Sequence, residues 1–256
     1  MTDDKIKLDN GIILLRIPPG SGIIGVNGIF QPARNKPKID VEISHTYYLS
    51  ETPITSQQWK SIGMRDPSRF SDAVTPVESV TRRLALAWIV KLNKKYPTVN
   101  GIRGEFRLPT EVEWEYAARA GDRSKKPGRD YDFLGMNVGK RGGGMVQGSL
   151  EANFIAAGGK PRPVANLSAN AWGLKGMIGD VAEHCADPYI ETNSSTPRDG
   201  SVRKGRGNMF HGKEMFAQRG GSFDINPKDM TYYWKAGVSD DDADARDGMR
   251  IAWGPI

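Results

Sequence analysis

The sequence predicts a single, loop-rich domain of the α+β class. Helix start signals occur at only a few places, most apolar runs are short and bounded by turn formers, and 30 glycines and 16 prolines interrupt the 256 residues. A chain of this length can bury one sizeable mixed core. Neither a repeat of fixed period nor a flexible linker is visible. We therefore predict one domain over residues 1–256.

The first part of the chain is predicted to form short strands. GIILLRIPPGSGIIGV, residues 11–26, has two apolar runs, with predicted turns at Pro-Pro-Gly and Gly-Ser-Gly. VEISHTYYLSETPIT, residues 41–55, alternates apolar and polar positions. That alternation is typical of one half-buried strand.

Two helices are predicted next. Thr55 or Ser56 can cap a short helix through QQWKSIG, and Thr81 can cap the longest one, which lies within residues 76–96. The apolar stripe of the longer helix consists of Leu84, Trp88 and Leu92.

A third helix is predicted in FRLPTEVEWEYAARAG, residues 106–121. Thr110 can cap it, and Glu113 stands at the third helical position, where it closes a capping box. The core-facing stripe is predicted to be Trp114, Ala117 and Ala118, with Glu111, Glu115 and Arg119 facing elsewhere. The following residues, 121–159, are rich in glycine, and irregular segments of such length are uncommon and usually functional.

The charge pattern gives little support for a nucleic-acid partner. The formal net charge is +6, and the basic residues gather loosely in residues 119–141 and 198–219 without regularly interleaved aromatics. The N-terminal sequence MTDDKIKLDNG has no hydrophobic signal region, and no apolar run approaches the ~20 residues that span a bilayer. We expect no signal peptide, no membrane insertion, and a place in the cytoplasm or in an assembled particle such as a virion.

Cysteine and histidine are too few for the common structural metal sites. Cys185 is the single cysteine, which excludes an intrachain disulfide and a cysteine-based zinc site. The three histidines, His45, His184 and His211, do not have the i, i+4 spacing of a helical metal pair, so a three-histidine iron or zinc site requires the fold to gather all of them.

The third helix segment resembles the signature of the formylglycine-generating-enzyme family, also called the sulfatase-modifying-factor domain. Six further blocks follow the family order: LLRIPPGSGIIG at 14–25, YYLSETPITSQQW at 47–59, PVESVTRRLALAW at 76–88, NAWGLKGMIGDVAEHCAD at 170–187, RGGSF at 219–223 and DGMRIAW at 247–253. The resemblance covers about residues 8–254. It implies a variant of the C-type-lectin-like fold, with small twisted sheets, a few helices and irregular surfaces that calcium often holds.

The resemblance also implies that this chain does not generate formylglycine. Family members that do so carry two copper-binding cysteines after the RGGS block, the first three residues after its serine and the second five residues later. Ile225 and Met230 stand at those positions here. Neither can form the thiolate that copper(I) needs, so no copper and no catalytic residue of that kind is expected. The sulfoxide synthases of the family use an iron-binding histidine motif that this sequence does not contain.

Two residues near the centre of the chain have alternative interpretations. His184 stands where the family usually has a tryptophan, and Cys185 where it commonly has cysteine, threonine or serine. Both are interpreted as buried structural residues. The alternative is that they form a new polar site.

Calcium is the cofactor that the resemblance implies. The corresponding oxygens would come from Gly179, Val181 and Glu183, while Gly176 replaces an expected Asn or Asp and Asp180 could compensate. A second set would involve Asn153 and Phe154.

The segment after RGGSF is the predicted ligand-binding region, because family members diverge there. It combines aromatic residues with acidic and amide side chains, which is the chemistry of a recognition surface. The predicted contact residues are Asp224, Asn226, Asp229, Tyr232, Tyr233, Trp234, Asp240, Asp241 and Asp242. The alternative is a core strand YYW followed by a solvated acidic loop. Even in that strand, alternation would expose Tyr233 if Tyr232 and Trp234 point inward.

These observations favour a non-catalytic recognition module for a protein or glycan surface. A phage or other particle, or a retroelement-diversified protein, would use such a module. The second hypothesis is an enzyme with altered oxidative chemistry that uses His184, Cys185 or acidic residues in place of the lost cysteines.

Overall fold

The computed structural model describes residues 3–28, 32–122, 159–225 and 231–255. Within these ranges the chain forms three α-helices and thirteen short strands. The helices are α1 Ser56–Lys60, α2 Arg82–Lys95 and α3 Glu111–Arg119. The strands are β1 Lys5–Lys7, β2 Ile13–Ile17, β3 Gly20–Ile24, β4 Ile39–Ile43, β5 Tyr47–Ser50, β6 Thr98–Val99, β7 Ile102–Arg107, β8 Ala182–Pro188, β9 Met209–Phe210, β10 Lys213–Arg219, β11 Lys235–Ser239, β12 Asp247–Gly248 and β13 Ala252–Pro255. The predicted α+β class with few helices and small sheets is confirmed.

The strands form three sheets. The largest has the order β1-β2-β5-β13-β7-β6, so the last strand of the chain lies between β5 and β7. The second has the order β11-β10-β8-β12, with β9 added beside β10, and β3 and β4 form a separate pair. The pairing of β12 with β8 is parallel, whereas the other strand pairs described are antiparallel. The second sheet carries the site described below.

The N-terminal strands differ from prediction in two details. Residues 20–22, predicted as a Gly-Ser-Gly turn, begin β3 instead, and a Cβ at Gly22 would lie 2.5 Å from the Tyr116 ring. Only glycine leaves room for that ring. Residues 41–55 form not one half-buried strand but the end of β4 and all of β5. Every residue of β5 is buried, because β2 and β13 flank it.

The helix starts are as predicted. Thr55 caps α1 and Thr81 caps α2 through hydrogen bonds to the backbone three residues ahead. At α3, Thr110 accepts from the Glu113 amide at 3.0 Å, while Glu113 Oε2 accepts from the Thr110 amide at 3.0 Å. The predicted capping box is therefore confirmed.

The packing of α3 follows the predicted stripe. Trp114, Ala117 and Ala118 lie in the core, as expected, and Glu111, Glu115 and Arg119 lie outside that apolar cluster. These three charged residues are nevertheless buried, as are all nine residues of α3. Arg219 on β10 pairs with Glu111 and Glu115, and Arg119 pairs with Glu115 within the helix.

Two apolar clusters lie inside the molecule. One joins α3 to β3, β4 and the start of the second sheet, and the other joins α1 and α2 to the largest sheet. In the second cluster Trp59 and Trp88 stack with ring centroids 5.7 Å apart. No helix in the described ranges is long and apolar enough to cross a membrane. Most of the glycine-rich segment 121–159 lies outside the described residues.

Candidate functional site

A pocket of about 320 Å³ lies on one face of the second sheet. Its floor comes from β8, β10, β11 and β12, and its walls come from the segments on either side of β11. Its lining residues include four from the part of the chain after RGG: Ser222, Ile225, Trp234 and Asp242. Trp234 and Asp242 are predicted contact residues, so the structure places part of the predicted region at a real cavity.

The polar floor of the pocket is a pair formed by Gln218 and Asp247. Gln218 Nε2 donates to Asp247 Oδ1 at 2.7 Å, and the Asp244 amide donates to Asp247 Oδ2 at 2.7 Å. Asp247 is 7% exposed. Burial raises its pKa to about 6, and the neighbouring Asp244 carboxylate adds to the rise. The pocket therefore contains a carboxyl group that titrates near neutral pH.

The apolar wall depends on the glycine pair of the RGGSF block. Gly221 has φ +73°, and a Cβ there would lie 3.1 Å from Ile225 Cδ1 and 3.7 Å from the Trp234 indole. This backbone conformation and the close contact both favour glycine. The turn thus brings Ile225 and the partly exposed Trp234 together beside the floor.

The acidic segment 240–244 beside the pocket is largely neutralised by basic side chains. Each of its four carboxylates forms an ion pair: Asp240 with Arg82 at 3.0 Å, Asp241 with Arg83 at 2.7 Å, Asp242 with Lys213 at 2.8 Å, and Asp244 with Arg246. Asp224 lies 3.6 Å from Arg246 and accepts a hydrogen bond from Ser222. Among the predicted acidic contacts that the structure describes, Asp242 alone lines the pocket, while Asp240 and Asp241 face the start of α2.

The aromatic run before β11 does not form the core strand of the alternative interpretation. Residues 232 and 233 form a turn, and β11 begins only at Lys235. Tyr232 is fully buried and Tyr233 is 8% exposed, so the expectation that alternation exposes Tyr233 is wrong. Trp234 is the member of the run that reaches the pocket. The predicted contacts Asn226 and Asp229 lie outside the described residues, as does Met230.

The predicted calcium ligands do not fit a calcium site in this structure. Glu183 is fully buried, and its carboxylate accepts from Arg250 Nε at 2.8 Å, Arg250 Nη2 at 3.0 Å and Trp114 Nε1 at 2.5 Å. Asp180, the possible substitute, is held by Arg162 at 2.8 Å. A carboxylate already paired with a guanidinium is a poor additional ligand for a cation.

One backbone oxygen of the predicted calcium set is also engaged. The Gly179 carbonyl accepts from the Val181 amide at 2.9 Å. In the described ranges, no group of three or more His, Cys, Asp or Glu side chains could hold a metal ion. Asn153 and Phe154 of the other predicted set lie outside those ranges.

His184 and Cys185 are buried residues of β8 and are not among the residues that line the pocket. His184 is fully buried, and its Nε2 lies 2.7 Å from the Val80 carbonyl oxygen. Burial lowers the pKa of His184 to about 4 and raises the pKa of the Cys185 thiol. The thiolate that covalent or redox chemistry requires is therefore disfavoured at Cys185.

Sequence reasoning misses two features of this region. Gln218 precedes RGG in a strand whose alternation, KEMFAQR, could have placed it on the opposite face from Ala217 and Arg219. The second feature is a buried ion cluster in which Arg219 contacts Glu111 at 3.3 Å and also contacts Glu115. No local pattern reveals that pairing, because more than 100 residues separate the partners.

Comparison with known proteins places the whole chain in one family. A family model described as the sulfatase-modifying factor enzyme 1-like domain matches residues 9–255. Chaperone protein LppX of Paenibacillus barcinonensis is 27% identical over 223 residues, which are 70% of this chain and 75% of that protein. The formylglycine-generating enzyme of Thermomonospora curvata is 30% identical over 130 residues, which are 44% of this chain and 41% of the enzyme.

Two solved structures share the fold over nearly the full length. PvdO from Pseudomonas aeruginosa has a TM-score of 0.76 at 20% identity and covers 99% of both chains. Treponema denticola variable protein 1 has a TM-score of 0.73 at 21% identity, over 98% of this chain and 99% of that one. Structural similarity at this level of identity establishes the fold, whereas the function has to be inferred from the residues of the site. From the match over residues 9–255 and the ordered blocks that carry it, the chain belongs to the sulfatase-modifying factor enzyme 1-like domain family.

Proposed function

We propose that the chain is a non-catalytic recognition module whose ligand site is the pocket on the second sheet. The observation that carries the proposal is the composition of the pocket wall. Ile225 occupies the place that the resemblance gives to the first copper-binding thiol, next to the partly exposed indole of Trp234. An isoleucine and an indole can contact a ligand but cannot bind copper as a thiolate.

The other side chains of the pocket also favour binding over covalent chemistry. Ser222 donates to Asp224 at 2.7 Å, away from any histidine base in the described lining. Gln218 and Asp247 offer an amide and a carboxyl group on the floor. A small number of polar groups beside apolar and aromatic walls is typical of ligand pockets, and the volume falls at the small end of their range. We propose a protein or glycan surface as the ligand.

The test is to screen the full chain against glycan and peptide arrays together with two variants. Trp234→Ala removes the aromatic wall, and loss of a central aromatic contact commonly weakens binding by about 2 kcal/mol or more. Phe210→Ala is the matched control, because Phe210 is an aromatic residue at 62% exposure on the β9–β10 hairpin and does not line the pocket. We expect array ligands that bind the native protein and Phe210→Ala but not Trp234→Ala. If every ligand binds both variants equally, the pocket is not the recognition site.

A direct assay separates this proposal from the enzyme alternative. The protein is incubated with a sulfatase-type cysteine peptide, with and without added copper, and the product is followed by mass spectrometry. No turnover above the protein-free background is expected, because Ile225 and the buried, protonated Cys185 supply no accessible thiolate. Turnover would contradict the non-catalytic assignment.

A further inference from the structure

Asp247 differs from the other acidic residues near the pocket in its charged partners. Asp240, Asp241, Asp242 and Asp244 each form an ion pair, whereas Asp247 forms none in the described part of the chain. The Arg246 guanidinium lowers the pKa of Asp247 from a longer distance, but the effect of burial is larger. The two carboxylate oxygens of Asp247 accept only from the neutral Gln218 amide and the backbone amide of Asp244. Burying a carboxylate without an ion-pair partner costs free energy. A cation that binds beside it therefore has a favourable electrostatic interaction.

The walls next to Asp247 suit the rest of a cationic side chain. The Trp234 indole lines the pocket, and indole faces attract ammonium and guanidinium groups. Ile225, Ala236 and Val238 supply apolar surface against which a methylene chain can pack. A pocket of about 320 Å³ holds one side chain more readily than an extended oligosaccharide.

We infer that the pocket binds a cationic side chain, the ammonium of a lysine or the guanidinium of an arginine exposed on a partner protein, with Asp247 as its counter-ion and Trp234 as its aromatic contact. This inference rests on the proposed recognition function and narrows its ligand to proteins with an exposed basic residue. Arg246 also lines the pocket, but its single positive charge faces the carboxylates of Asp244 and Asp224. Together with Asp247, these carboxylates leave a net negative charge around Arg246.

Binding of a cation at this place has a predicted pH dependence. Burial raises the pKa of Asp247 to about 6 in the empty pocket, so the counter-ion is lost as the pH falls through 6. The charged neighbours do not change state in this window. The pKa values of Asp242 and Asp244 are lowered, chiefly by hydrogen bonds from Lys213 and Arg246, and burial keeps His184 on β8 neutral with a pKa of about 4. Arg246 remains cationic, because its hydrogen bonds to Asp244 raise its pKa.

The experiment compares two probes that differ by one charge. Nα-acetyl-arginine methylamide and its neutral isostere Nα-acetyl-citrulline methylamide are titrated into the full ¹⁵N-labelled chain, and the Trp234 indole signal is assigned with Trp234→Phe. We expect the arginine probe to shift that signal and to bind at least about tenfold more tightly than the citrulline probe at pH 7.5. At pH 5 the difference should shrink to less than about threefold, because Asp247 is then protonated.

Variants and controls keep this test decisive. Asp247→Asn should abolish the preference for arginine, whereas Asp241→Asn should retain it, since Asp241 pairs with Arg83 outside the pocket. If Asp247→Asn fails to fold because it loses the acceptor for the Asp244 amide, the pH comparison on the native chain decides alone. Equal binding of the two probes, or no shift of Trp234 with either, overturns the inference. The proposed function has its own test, because it is contradicted if no array ligand depends on Trp234.

Discussion

At the scale of single residues, some buried charges of this protein depend on one opposite charge. Glu183 is the clearest case, because Arg250 and Trp114 together satisfy both of its carboxylate oxygens. Arg250 also donates to the carbonyls of Ser50 and Lys175 at 2.7 Å. The pair therefore joins the segment before β13 to β8 and to the end of β5.

We predict that Arg250→Met destabilises the protein strongly. Removing one partner of a buried ion pair leaves an uncompensated charge, and the loss is commonly about 3–5 kcal/mol. The denaturant midpoint and slope of the purified variant give the free energy of unfolding. The double variant Arg250→Met with Glu183→Gln should recover part of the loss, because the unpaired charge is gone. A loss below about 1 kcal/mol in the single variant would contradict the described pair.

At the scale of elements, the two longer helices begin at threonine caps of unequal importance. Thr81 accepts one hydrogen bond from the Leu84 amide. Thr110 accepts from the Glu113 amide and also donates to the Gly200 carbonyl at 3.1 Å. The hydrogen bond to Gly200 connects the start of α3 to a loop that is distant in sequence, and both Thr110 and Gly200 are buried.

We predict that Thr110→Ala costs more stability than Thr81→Ala. Loss of a helix cap alone typically costs about 1 kcal/mol, and the unpaired Gly200 carbonyl adds about 1–3 kcal/mol. Chemical denaturation of both variants measures the two losses, and Thr81→Ala serves as the matched cap control. Equal losses, or a larger loss at Thr81, would show that the contact with Gly200 contributes nothing.

The same elements show which features the sequence can predict. The caps at Thr55, Thr81 and Thr110 are local patterns, so they are confirmed in the structure. Tyr233 is buried, so the expectation that strand alternation exposes it is wrong. The partner that neutralises buried Glu111, Arg219, is distant in sequence, and no local pattern indicates it. The family order marks the segment after RGGSF, and part of that segment lines the pocket. The Gln218–Asp247 floor depends on the three-dimensional pairing of both β10 and β12 with β8.

At the scale of the whole molecule, the largest sheet joins the two ends of the described chain. β13 lies between β5 and β7, with Trp253 paired to Tyr48 on one side and to Phe106 on the other. Its indole is 1% exposed in the second apolar cluster. β1, in contrast, is an edge strand that pairs only with β2 in the described sheet.

We predict that deletion of residues 249–256 prevents folding, whereas deletion of residues 1–7 lowers stability but leaves a folded chain. The first deletion removes a central strand and opens the cluster around Trp253, and the second removes only an edge strand. Loss of a buried tryptophan alone typically costs about 3–5 kcal/mol, a large share of a domain's stability. Dispersion of the amide NMR spectrum distinguishes the two outcomes. A dispersed spectrum after the C-terminal deletion would contradict the central role of β13.

The position of β13 also has a consequence for synthesis in the cell. A ribosome makes the chain from its N-terminus, so β2, β5 and β7 emerge long before residues 252–255. Until those last residues leave the exit tunnel, β5 and β7 each lack a neighbour along one edge, and such edges attract other strands. The large sheet can therefore close only after residues 252–255 have been made and have left the exit tunnel. Until then, the open edges of β5 and β7 are the places at which the growing chain can pair with other strands and aggregate.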